Sequence, residues 1–356
     1  MARDSRPAGY PVSSGGTKRL DRRYHCGPCS GPAQAIVLLS GSNRRLGRQA
    51  VSGDAMTAIG IDLGGTKIEA QVFSDDWSVV ARQRRDTPGN YADLVLAVAE
   101  QIRWAEAQAG RGAPVGIGAA GLINPRNGLA LTANLAASGQ PLPADIARAA
   151  GRGITYVNDC RALALSEAVF GQGRGHRTVM ALILGTGVGG GISVDQRILQ
   201  GPTLTGGEFG HASAPAHLVA QYDLPIWKCG CGGMGCIETY IAGPGLARLT
   251  KHLTGQDLTP PQIAAARGAA MAPVWEVWCD LTADLLQRLT LTVDPDLIVL
   301  GGGLTRINGL VDDLTAAAQA AQLLDYGTSP LVLADGGDTS GARGAAYAAW
   351  QAQRDD

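Results

Sequence analysis

Apolar residues recur along this chain in two rhythms, alternating and helical, and from residue 58 onward the two take turns. Residues 58–61 form an apolar run short enough for a buried strand, and 68–73 read as its hairpin partner. Tyr91–Ala109 sets Leu94, Leu96, Val98 and Ile102 among polar neighbours, which predicts an amphipathic helix. Strands are expected at 115–117 and 154–157, a helix at 162–170, and a strand at 179–184 with a return strand near 191–194. The second half repeats this grammar: a long helix over 274–291, a break at Asp294-Pro295-Asp296, an apolar strand at 297–300 and a last helix over about 342–351. Strands that alternate with helices predict an α/β fold. A length of 356 residues suggests two domains, because single cores stop growing well before that size.

One internal echo stands out. Residues 59–70 (IGIDLGGTKIEA) and 181–192 (ALILGTGVGGGI) are both strand, glycine turn with a threonine, strand, one opening each half of the chain. A duplicated unit facing itself across a cleft would produce this. In Asp62-Leu63-Gly64-Gly65-Thr66-Lys67 the glycines permit positive φ and close backbone approach, so amides and the Thr66 hydroxyl can point at phosphate oxygens. A strand follows this turn where a P-loop or a dinucleotide-binding turn needs a helix. Taken alone, it also reads as a plain hairpin turn. The run Gly185-Thr186-Gly187-Val188-Gly189-Gly190-Gly191 has too little side chain to be held by its own packing, and a bound ligand accounts for it better. A third cluster, Gly301-Gly302-Gly303, ends the strand at 297–300, where α/β folds place ligands. Three such turns would serve triphosphate, ribose and base.

Composition narrows the class. The chain is 45% hydrophobic and 17% charged, which is globular, and no apolar run approaches the ~20 residues that cross a bilayer. A net charge of −1 gives no reason to expect nucleic acid or an anionic membrane as partner. Three of the seven cysteines fall in Cys229-Gly230-Cys231-Gly232-Gly233-Met234-Gly235-Cys236, a spacing that suits a metal better than a disulfide framework and fits a reducing, cytoplasmic setting. Cys160 and Cys279 read as ordinary buried thiols.

Residues 1–55 look foreign to the rest. They are rich in Ser, Gly, Pro and Arg, and nine basic residues against three acidic ones give about +6, leaving about −7 for the remainder. Disorder is expected there. Met56 directly precedes the first strand, so the biological start is expected there, with 1–55 an extension. Cys26-Gly27-Pro28-Cys29 lacks the strand–helix frame that a redox dithiol needs.

Asn158-Asp159 follows the strand at 154–157 where the chain turns into a helix, so a carboxylate stands at the mouth of the expected cleft. By position alone it could equally cap the helix. Here the motifs accumulate: ILGTGVGGG at 183–191, TGGEFGH at 205–211 and CGCGGMGCIE at 229–238. From Met56 to the end the chain resembles the ROK family of sugar kinases and repressors, within the actin-like ATPase superfamily, and among its branches the bacterial N-acetylglucosamine kinases.

The resemblance implies an actin-like, ribonuclease H-like α/β fold, with domains at 56–160 and 161–341 flanking a nucleotide and sugar cleft and a last helix, 342–356, packed back on the first domain. It implies ATP and Mg2+, with the three glycine turns on the nucleotide and Asp62 orienting phosphate or magnesium. It makes Asp159 the general base that takes the proton of a sugar 6-hydroxyl. It places Gly121, Asn134, Asn158, Glu208, His211 and Glu238 around the sugar, with Ser138 beside them. His211, Cys229, Cys231 and Cys236 would form a closed structural zinc site with no place for a catalytic water. N-acetyl-D-glucosamine is the first substrate it implies, with a possible homodimer as the assembly.

Two departures bear on the substrate. Family kinases usually continue Asn-Asp with Ala-Asn, whereas Cys160-Arg161 follow here, and the loop from Asn134 to Ser138 looks about one residue short. Arg161 would either lower the pKa of Asp159 or point into solvent. Glucokinase, fructokinase or mannokinase activity are the rival readings on the same fold. A sugar-responsive repressor would need a winged-helix module before Met56, and the tail does not supply one.

Overall fold

A computed structural model of the protein describes residues 58–337 and 340–355. The extension, its Cys26–Cys29 pair and the proposed start at Met56 lie outside the described residues. The first half runs β1 (Ala58–Leu63), β2 (Lys67–Phe73), β3 (Val79–Asp86), α1 (Tyr91–Ala109), β4 (Val115–Ala119), β5 (Leu122–Ile123), β6 (Ala130–Leu131), α2 (Leu142–Ala150) and β7 (Thr155–Asn158). Helix α3 (Asp159–Phe170) leads into β8 (Thr178–Leu184), β9 (Val188–Val194) and β10 (Arg197–Ile198). Then come α4 (Ala216–Gln221), α5 (Glu238–Ile241), α6 (Gly243–Thr254), α7 (Pro260–Ala265), α8 (Ala272–Val293), β11 (Leu297–Gly301), α9 (Leu310–Ala321), β12 (Leu331–Leu333) and α10 (Ser340–Asp355).

The echo in the sequence corresponds to a repeat in topology. One sheet is ordered β3-β2-β1-β4-β7 and the other β10-β9-β8-β11-β12. In each, an antiparallel three-stranded meander is followed by two parallel strands added on the other side of the first strand. This repeat agrees with the two-domain α/β architecture that the resemblance implies.

Side-chain alternation assigns the faces of the first sheet. Ile59, Ile61 and Leu63 of β1 and Val115, Ile117 and Ala119 of β4 pack on Leu94, Val98 and Ile102 of α1. The intervening positions of β4 are Gly116 and Gly118, and a methyl group on Gly116 would overlap the Ala345 carbonyl. The alanine-rich α10 therefore lies backbone-close on this face, at a distance only glycine permits. In the second sheet Met180, Leu182 and Leu184 face α8 around the buried Trp278.

Three expectations need correction. Leu96 is exposed, because the buried stripe of α1 follows the helical period through Leu94, Val98 and Ile102. Helix α3 begins at Asp159, so a domain boundary at 160/161 falls inside its first turn; the helix packs on α10 as well as on β8 and β9. The return strand begins at Val188, which draws Gly189–Gly191 into β9 and out of the glycine loop.

Glu167 fastens the two chain crossings between the sheets, α3 and the segment from β12 to α10. Fully buried, it accepts the amides of Gln172 (3.1 Å), Asp335 (3.2 Å) and Gly336 (2.9 Å) and the Ser340 hydroxyl (3.3 Å). Glu167→Ala would strand these donors, and a loss of roughly 3 kcal/mol is expected in urea unfolding. An unchanged midpoint would contradict that role.

Candidate active site

The C-terminal ends of three parallel strands lie in one row. Leu63 of β1 is paired with Ala119 of β4, and Ala119 with Asn158 of β7. The first glycine turn, the approach to Gly121 and the Asn158-Asp159 pair therefore leave the sheet along one edge, where open α/β sheets bind ligands.

In the first turn Gly64 N–H donates to Lys67 O (3.0 Å), and the Thr87 hydroxyl donates to Gly64 O (2.7 Å). Neither Gly64 nor Gly65 has positive φ, so conformational freedom does not explain them. Close approach explains Gly65: a Cβ there would stand 2.7 Å from Asn134 O and 2.8 Å from Asn134 Cβ. The expected phosphate turn thus abuts the expected sugar loop. Thr66 and Lys67 complete this turn, and the Asp62 carboxylate sits against Gly341 in the first turn of α10. Asn134 is exposed at the loop's tip. Ser138 closes the loop, its hydroxyl donating to Thr132 O (2.7 Å) and accepting from Thr132 N–H (2.9 Å). That hydroxyl, expected to face the sugar, is taken up within the loop.

The helix cap falls to Asn158 and not to Asp159. Asn158 Oδ1 accepts the amides of Cys160 (3.0 Å) and Arg161 (3.3 Å), and its Nδ2 donates to Gly121 O (3.1 Å), where Gly121 has φ +105°. Asp159 is half-buried and accepts the Cys160 amide at Oδ1 (2.9 Å). Burial pushes its carboxyl above the usual Asp range, and the Cys160 amide and the Arg161 charge pull the other way without cancelling it.

Arg161 does not reach solvent; its charge lowers Asp159 as expected, but burial outweighs it. It is 4% exposed and crosses to the irregular segment after β10, donating through Nε to Gly206 O (2.9 Å) and through Nη2 to Leu204 O (2.6 Å). Its Nη2 also lies 3.7 Å from Glu208 Oε1. Glu208 is half-buried, its carboxyl raised by burial against the pull of Arg161 and His211, and its Oε2 lies 3.9 Å from His211 Nε2.

The other nitrogen of His211 faces the thiols, 3.7 Å from Cys229 Sγ. Cys231 and Cys236 sulfurs are 3.6 Å apart, and the four donor atoms all lie within 4.8 Å of one another. Zinc–sulfur bonds of about 2.3 Å put tetrahedral sulfurs about 3.8 Å apart, so the set fits zinc in both donor chemistry and span. The Gly233 amide lowers the Cys231 thiol, while burial pushes Cys236 up to about 12. Glu238 joins this knuckle to the second glycine turn: its Oε2 accepts the Val188 amide (2.8 Å) and its Oε1 the Cys229 thiol (3.7 Å).

The second and third glycine turns touch, with an added Cβ on Gly185 only 3.6 Å from Gly303 N. Gly185 N–H donates to Gly187 O (3.0 Å), Gly243 N–H donates to Gly185 O (2.7 Å), and Thr186 is exposed at the tip. Gly189, Gly190 and Gly191 are packing positions: bare backbone lets β9 lie on Cys160, on the Phe209 ring and on Arg161 Cα, 2.7 Å from the place of a Gly191 Cβ. Val188 is buried beside them. Gly301 likewise packs between Ile183 and Leu163, so Gly302 and Gly303 alone carry the third turn outward.

These turns form one end of a cleft of about 800 Å³, lined by Gly185, Thr186, Gly303, Gly243, Pro244, Ala247, Leu258, Pro260, Ala264 and Ile307, with Arg306 and Asn308. Its apolar walls and glycine floor suit a nucleoside. Part of the wall comes from α6 and α7, which carry no motif that reads as a site in the sequence.

Residues 58–352 match the ROK family. The N-acetylgalactosamine kinase of Shewanella sp. is 39% identical over 293 residues, covering 81% of this chain and 94% of that protein. The N-acetyl-D-glucosamine kinase of Salmonella heidelberg is 38% identical over 296 residues, covering 81% and 97%. The crystal structure of a ROK hexokinase from Thermus thermophilus has a TM-score of 0.74 at 29% identity, covering 85% of this chain and 100% of that one. A ROK family glucokinase from Streptomyces griseus, in complex with glucose and AMPPNP, has a TM-score of 0.64 at 27% identity, covering 83% and 99%.

Proposed function

This chain belongs to the ROK family, and from that premise we propose that it is an ATP-dependent sugar kinase acting on the 6-hydroxyl of N-acetyl-D-glucosamine. One observation carries the reading: Asp159, raised by burial, stands at the strand-end row beside Gly121 and the first glycine turn, while the second and third turns bound a nucleoside-sized cleft.

In the proposed reaction the sugar 6-oxygen attacks the γ-phosphorus, Asp159 takes the hydroxyl proton, and the bond to the β-phosphate oxygen breaks to release ADP. Asn134, Glu208 and His211 hold the ring hydroxyls, and Glu238 keeps the second glycine turn in place. Asp62 orients phosphate or hydrated Mg2+, which when bound neutralises charge on the phosphates. Zinc, held by His211, Cys229, Cys231 and Cys236, supplies rigidity to the segment carrying Glu208 and Glu238.

Measuring kcat/KM over N-acetyl-D-glucosamine, N-acetylgalactosamine, glucose, mannose and fructose tests the substrate. N-acetyl-D-glucosamine should lead, and another hexose outperforming it would overturn that choice. The pH profile tests the base. Asp159 works only when ionised and burial raises its pKa, so kcat/KM should fall with decreasing pH at a point above the ordinary Asp value of about 3.9. An acid limb at or below that value would contradict the assignment.

A further inference from the structure

We propose that Arg161 is the positioning residue of the sugar site, holding the 204–207 segment, and through it Glu208, against the start of α3. The proposal rests on the sugar-kinase reading for the identity of the ligand.

Leu199 N–H still donates to Ile192 O of β9 (2.8 Å), but from Gln200 to Glu208 the chain belongs to no strand or helix, so no ladder fixes it. Its conformation is unusual at two points. Leu204 has φ +54°, a region that branched side chains rarely adopt, and Gly207 has φ +103° with its Cα face against the Gly190 carbonyl. Such a conformation persists when its surroundings over-determine it. Arg161 supplies that determination: a planar guanidinium donates to Leu204 O and Gly206 O, on either side of Thr205, and lies 3.7 Å from Glu208.

Arginine suits the task because its donors form a rigid fork, whereas a lysine ammonium is a point donor on a flexible stem. The other end of the fork is also fixed, since β9 presses on Arg161 Cα at the glycine position 191. Glu208 therefore lies between two cationic or polar anchors, Arg161 on one oxygen and His211 on the other. The arginine thus acts on the sugar through Glu208, and the nucleotide cleft, bounded by Gly185 and Gly303, lies outside its reach of contacts.

The test compares Arg161→Gln, Arg161→Lys, Leu204→Gly and the Arg161→Gln/Leu204→Gly double variant on the hexose that the unmodified enzyme phosphorylates best. Arg161→Gln should raise the sugar KM about 10-fold or more, with the ATP KM within about 2-fold, because only the sugar-side geometry moves. Arg161→Lys should show a smaller rise of the same kind. Glycine adopts φ > 0 unaided, so Leu204→Gly should recover part of the sugar KM in the double variant and leave it nearly unchanged alone. Should Arg161→Gln fail to fold, the lysine variant decides: an unchanged sugar KM overturns the proposal. Equal loss of sugar and ATP affinity, or no recovery by Leu204→Gly, also overturns it. An unmodified enzyme that phosphorylates no hexose overturns the kinase reading and this proposal with it; normal turnover with sugar KM unchanged in both arginine variants removes the role of Arg161 alone.

Discussion

Asp159→Asn is expected to lower kcat by roughly 10²- to 10⁴-fold while the protein folds normally and binds sugar and ATP with little change. The amide keeps the shape of the carboxylate and still accepts the Cys160 amide, and Asn158 retains the helix cap, so the start of α3 survives. What disappears is the acceptor for the hydroxyl proton. The variant should melt no lower than the unmodified protein, because a neutral amide avoids the cost of half-burying a charge. Steady-state kinetics beside thermal unfolding checks both parts. Turnover retained within an order of magnitude would remove Asp159 from its role.

Loss of the metal should be the second largest effect. Cys231 is the exposed cysteine of the expected zinc set, so Cys231→Ser disturbs packing little while leaving three ligands for a site that needs four. Elemental analysis should find stoichiometric zinc in the unmodified protein and very little in the variant. Because His211 reaches both the metal set and Glu208, the sugar KM should rise roughly 10- to 100-fold. The Val188 amide held by Glu238 is one step further from the sugar, so the ATP KM should move less. Full zinc content in the serine variant, or an unchanged sugar KM after zinc is lost, would contradict this chain of contacts.

The repeat was legible because strand, glycine turn and strand leave the same mark in both halves, and each half folds into a sheet of the same order. The metal set was legible because its three cysteines are close in sequence. The reach of each glycine run was not. A glycine that frees the backbone for a ligand and one that lets two elements touch look alike in sequence, so Gly189–Gly191 read as loop although α3 and Phe209 lie against them. Strand β3 was missed because Val79–Asp86 is mostly exposed and polar, an edge strand without a buried face to give it a period. The clamp made by Arg161 spans more than forty residues to Leu204 and Gly206, and spacing along the chain carries no trace of it. The cleft walls from α6 and α7 were hidden for the same reason.

Proton-coupled phosphorus NMR of the purified protein with Mg2+, ATP and N-acetyl-D-glucosamine tests the central claim most directly. ADP should accumulate in step with one new phosphomonoester signal, split into a triplet by the two protons on C6 of the sugar. A doublet would put the phosphate on a ring carbon, and inorganic phosphate without a sugar ester would mean that no carbohydrate hydroxyl meets Asp159 at all.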